Sequence, residues 1–131
     1  MQKSDRSANS PVLPGRFDGE CFRRLIELVG PQMSATLLTQ LVADLATCER
    51  GLAQGTMGGD WLLLRETSHN LAALGGSCGA LALHDLAQEL NGAAHDQDAA
   101  AIARLAPALT AELALLLALV RATPPDGPLP W

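Results

Sequence analysis

Tyrosine is absent from this 131-residue chain, and aromatic residues make up only 3% of it. β-branched residues are sparse too, so the side chains that favour pleated sheet are few, which argues against a sheet protein. Lysine occurs once, at Lys3, and no cluster of Lys and Arg appears. With a formal net charge of −5 the chain offers no basic face to a nucleic acid. The three cysteines, Cys21, Cys48 and Cys78, are odd in number and widely spaced, with no Cys-x-x-Cys pair. That spacing argues against a disulfide framework and for reduced thiols in a cytoplasmic protein. The N-terminus has no apolar segment of the secretory type. The longest unbroken apolar run, Leu113 to Val120, is too short to span a bilayer, so no membrane segment is expected.

What is present is Leu and Ala, within a hydrophobic fraction of 48%. Proline is missing between Pro31 and Pro107, which leaves a long span free to be helical. Helical spacing of apolar residues marks five segments. The first runs from Asp18, a candidate N-cap, to Val29, with Phe22, Leu25, Ile26 and Val29 on one stripe. Gly30 suits the end of that helix and Pro31 the start of the next. The second runs from Pro31 to Ala53, and Gly55–Gly59 reads as a loop. Asp60 is placed to cap the third, which ends at Gly75-Gly76. Ser77 is placed to cap the fourth, which ends near Leu90 before Asn91-Gly92. Asp96 is placed to cap the fifth, from Gln97 to Arg121, with Pro107 kinking or splitting it.

Residues 1–15 lack periodicity and read as a flexible tail. Residues 16–122 form the domain, and 123–131 form a proline-rich, extended tail. Short connections make neighbouring helices antiparallel. The expected fold is all-α: an antiparallel up-down four-helix bundle with an additional N-terminal helix, monomeric.

The stretch Ser68 to Gly79 holds the one chemically suggestive feature. Leu64, Ser68, Leu71 and Gly75 fall on one inward stripe, and His69 lies beside it. On the side of His69, within two turns, stand Ala72, Ala73 and Gly76. None has a side chain longer than a methyl, so the imidazole should rise from a bare patch open to a partner protein rather than line an enzyme pocket. A lone helical histidine is by default structural or merely exposed. His84, one position after Leu83, should point away from its helix's core stripe into solvent. His95, near a helix end, and Asn70 carry no signal of their own. Cys78 reads as small core filler and Trp61 as core, the alternative being a docking anchor. His69, His84, His95 and Cys78 have no zinc-ligand spacing. Gly75-Gly76 is no phosphate loop, since no strand precedes it and no Lys-Ser/Thr follows.

His69, Leu71 and Gly79, followed by the leucines Leu83, Leu86 and Leu90, resemble the histidine phosphotransfer (HPt) domains of multistep phosphorelays. Their signature is His-x-Leu-Lys-Gly on a helix, with a glycine ten residues after the histidine. Ala72 and Ala73 stand here where that signature has lysine and glycine. The resemblance implies that His69 is a phosphoacceptor relaying phosphoryl groups between receiver-domain aspartates. It implies a carrier with no ATP or kinase site and no cofactor of its own, magnesium being held by the receiver. The partners it implies are the receivers of a hybrid sensor histidine kinase and of a response regulator. Arg65, one turn before His69, is the candidate replacement for the lysine. Ala72, Ala73 and Gly76 are the candidate docking surface. The competing expectation, favoured by Ala72 and Ala73, is a non-catalytic HPt-like adaptor that docks receiver or kinase domains without carrying phosphate.

Overall fold

The computed structural model describes residues 11–131, so the first ten residues of the expected N-terminal tail lie outside the described part. Five helices account for most of it: α1 (Gly19–Val29), α2 (Ser34–Gly58), α3 (Trp61–Cys78), α4 (Leu81–His95) and α5 (Ala99–Ala122). Among the described residues there is no strand, only an isolated bridge between Phe17 and Ala80. Helices α2 to α5 form the expected bundle, each packing on its chain neighbours and α2 closing against α5, while α1 lies across α2 and α3.

Several helix ends differ from the sequence reading. Helix α2 does not stop before Gly55 but runs through the expected loop to Gly58, and Gly59 at φ +61° ends it. The reason is packing. A Cβ on Gly51 would lie 2.5 Å from Thr67 Oγ1, and one on Gly55 2.8 Å from Leu64. These glycines let α2 and α3 approach closely, and that outweighs their poor helix propensity of about 1 kcal/mol each.

Helix α3 continues past Gly75-Gly76 to Cys78, and Gly79 at φ +77° is its C-cap. Ser77 therefore lies inside α3, and α4 starts at Leu81 after Ala80, which provides no side-chain cap. A Cβ on Gly79 would meet the Asp18 carbonyl oxygen at 2.3 Å, so this position needs glycine for both space and backbone. Asn91-Gly92 is helical, and α4 runs on to His95.

Asp98, not Asp96, caps α5, accepting from Ala101 N–H at 3.1 Å. Asp18 and Asp60 cap as the sequence suggests. Pro107 does not split α5. It and Ala103, whose carbonyl loses its N–H partner, are both exposed, so water can satisfy that carbonyl.

The core is leucine on facing stripes: Leu45 and Leu52 of α2, Leu64 and Leu71 of α3, Leu83 and Leu90 of α4, and Leu109, Leu113 and Leu116 of α5. Among the described residues, helix α5 alone is long and apolar enough to cross a membrane, with a mean hydropathy of 1.8 over its most apolar stretch. The continuous helix is thus longer than the short apolar run Leu113 to Val120 alone. Its leucines, however, face the bundle core except for half-buried Leu115, and its outward positions are largely alanine.

The two tails are packed where they are described. Pro14 is buried, and Gly15 N–H donates to Glu112 Oε1 at 2.7 Å. The proline-rich segment after α5 is non-helical, yet it folds back over the bundle end. Ser34 Oγ donates to the Pro125 carbonyl at 2.6 Å. Trp131 stacks on Phe22 at 5.2 Å and meets Phe17 edge-on at 5.3 Å. Each such aromatic pair contributes about 0.5–1.5 kcal/mol beyond its area burial.

Candidate functional site

His69 sits midway along α3 and is exposed, as its place beside the inward stripe requires. The two residues before it, Thr67 and Ser68, are both buried. Thr67 fills the space left by Gly51 of α2. Ser68 packs towards α4: its hydroxyl donates to the Arg65 carbonyl of its own helix at 3.1 Å and accepts from Asn91 Nδ2 of α4 at 3.2 Å. The same Asn91 amide also donates to the Arg65 carbonyl at 3.0 Å. The backbone just before His69 is thereby held from both sides, and the imidazole stands on a fixed support. Asn91, which the sequence suggests is a helix exit, is the pin of that support. A lone Asn-Gly gives no sign of this, because its partners lie 23 and 26 residues away.

Positions 84, 88, 91 and 95 form one stripe of α4, and His84 and Asn91 show that it faces α3. Next to His69 on the N-terminal side is a shallow depression of about 250 Å³, lined by Leu62, Arg65, Glu66, His69, Asn91 and His95. Arg65 thus shares a depression with His69, as the sequence places it. His95 does too, although it carries no signal in the sequence: it belongs to another helix, and only the antiparallel pairing brings it there. Glu66 stands at the rim, since it also borders the neighbouring depression against α2.

The other side of His69 departs from the bare patch the sequence suggests. His84 is not a solvated side chain. It is half-buried, with Nδ1 2.8 Å from the Ala72 carbonyl, so Nδ1 carries the proton and donates it. Its ring also covers Gly76, where a Cβ would lie 3.3 Å from Nδ1. Ala72 and Gly76 are accordingly half-buried, and of the three small residues only Ala73 is exposed. Ala73 faces the α2 side, where with Asn70, Asp44 and Thr47 it lines a depression of about 390 Å³. Tertiary contact splits the small-residue patch between two helices.

Two of the three thiols are quiet. Burial, with Asp44 adding to it, pushes Cys48 up to about 11, and burial, with Cys21 adding to it, pushes Cys78 up to about 12. Both stay protonated at neutral pH. Cys78 fills core as expected, and Trp61 packs partly buried against the core. Among the described residues no group of three or more His, Cys, Asp or Glu is placed to hold a metal ion.

No protein-family model and no curated protein matches the chain. Among solved structures it is similar to the crystal structure of histidine-containing phosphotransfer protein B from Pseudomonas aeruginosa. The TM-score is 0.72 and the identity 23%, over 82% of this chain and 93% of that one. The all-α bundle that carries His69 therefore has the fold of a histidine-containing phosphotransfer protein.

Proposed function

We propose that the chain is a phosphoryl carrier in a multistep phosphorelay, and that His69 carries the group. The observation that supports this most directly is an exposed imidazole on α3 with its backbone support pinned by Ser68 and Asn91, in a bundle of this fold. Near neutral pH a free imidazole is largely neutral and nucleophilic. The ring's lone pair forms an N–P bond as the acyl phosphate O–P bond of a receiver aspartate breaks. The aspartate leaves as a carboxylate, and the other ring nitrogen keeps its proton. Return transfer to a second receiver reverses these bonds. The chemistry is positioning and charge stabilisation, so a carrier needs no nucleotide site, and the receiver supplies the magnesium.

The partners in this reading are the receivers of a hybrid sensor kinase and of a response regulator, met by a cytoplasmic monomer. Exposed Ala73 leaves room for a receiver to approach. The test is incubation of the purified chain with a phosphorylated receiver of its own organism. Acid-labile, base-stable label should appear on the wild type and be missing from His69→Gln. No label on wild type, together with stable receiver binding, would replace this reading with the adaptor.

A further inference from the structure

Resting on the carrier reading, we infer that Arg65 and His95 form a two-helix cradle for the phosphoryl group on His69, with His95 the contribution of α4. The HPt signature places its positive charge three residues after the histidine. In this chain Ala72 occupies that position, and its carbonyl is engaged by His84. The side chain that covers that side is the half-buried His84 ring, which lies over Gly76.

On the opposite side, the depression beside His69 is lined by one guanidinium and one further imidazole. Both are exposed, and among the described residues neither takes part in an ion pair. An arginine presents a fork of donors suited to phosphoryl oxygens. Histidine presents at least one N–H in either protonation state. Glu66 is the one acidic group on the depression, and it sits at the rim shared with the α2 side. Asn91 fixes the spacing of the two helices at this level, so the donors from α3 and α4 are held in register. The cradle thus lies towards the N-terminal end of α3, the reverse of the side the signature lysine would occupy.

The expected consequence concerns the lifetime of the phosphorylated protein. Spontaneous phosphoryl loss from a nitrogen passes through a loose, metaphosphate-like transition state. Its phosphoryl oxygens carry less negative charge than those of the phosphoimidazole, so donors fixed on them favour the ground state and slow hydrolysis. The experiment labels wild type, His95→Ala and His95→Arg with phosphoramidate, whose N–P bond breaks as ammonia leaves. The decay of the His69 signal is then followed by 31P NMR. His95→Ala should shorten the half-life roughly threefold, the size expected of a solvent-exposed charge contact, and His95→Arg should restore it. A His95→Ala half-life equal to wild type overturns the cradle and leaves the carrier reading standing. A shortened half-life that His95→Arg fails to restore also overturns it, because a helix-end packing effect would behave that way. If neither phosphoramidate nor a phosphorylated receiver labels wild type, both readings fall.

Discussion

From Leu62 to His69 the groove between α3 and α4 is open and polar, whereas from Ala72 to Gly79 the same two helices close on each other. In the open half, Arg65, His69 and His95 reach solvent, and the one cross-helix pin, Asn91, bonds to the backbone and to buried Ser68. In the closed half, a histidine is again at the interface, yet His84 is bonded to Ala72 and laid over Gly76. A Cβ on Gly75 would come within 3.2 Å of the His84 backbone nitrogen. The difference teaches that residue type does not make a reactive site. Small residues bring two helices together, and close helices satisfy a histidine internally. Bulkier residues at 62, 65 and 69 stand clear of the interface and leave imidazole nitrogens available.

The largest effect should come from exchanging the histidines' fates. His69→Gln should lose all phosphoryl acceptance, while His84→Gln keeps it, as read by label transfer from a phosphorylated receiver. Equal loss in both variants would erase the distinction between the halves. Next comes the floor that both halves share. Leu71 is fully buried, so Leu71→Ala should cost about 2–5 kcal/mol in chemical denaturation, and well under 1 kcal/mol would mean the helix is turned otherwise. In the closed half, Gly79→Ala should cost more than about 1 kcal/mol, because a Cβ meets backbone at a positive φ.

Ala73→Trp should slow transfer from a receiver by roughly tenfold, about 1.4 kcal/mol in rate terms, with an unchanged denaturation midpoint. Transfer at the wild-type rate would place the docking surface elsewhere. His84→Gln should lower stability by about 0.5–1.5 kcal/mol through the lost bond to Ala72, and no loss would make that bond incidental.

The smallest effect concerns the strap beside the closed half. Arg16 forms an ion pair with Asp85 at the start of α4, and that hydrogen bond holds the Asp85 carboxyl below the usual carboxylate range. Because its folded value is lowered, its stabilisation is present above the unfolded value and is lost as pH falls through the folded one. Arg16→Gln should therefore flatten the acid side of the stability profile slightly. Both side chains are exposed, so the change should be small and should shrink with salt.

Sequence alone determined the helices, their inward stripes and the exposed place of His69, because these follow from local periodicity. Leu64, Ser68 and Leu71 are one face by spacing, and His69 is off that face wherever the helix packs. The aspartate caps at 18 and 60 were legible for the same reason: a cap and its N–H partner are three residues apart. Helix ends near glycine were not legible. Gly51, Gly55, Gly75 and Gly76 look like breaks until a second helix is seen against them. Tertiary structure alone decided that His84 is occupied and that His95 shares a depression with His69. It also decided that Asn91 pins the site and that Trp131 covers the bundle end. Each of these depends on a partner many positions away in the chain, and spacing within one helix carries no information about which residue of the next helix will stand opposite.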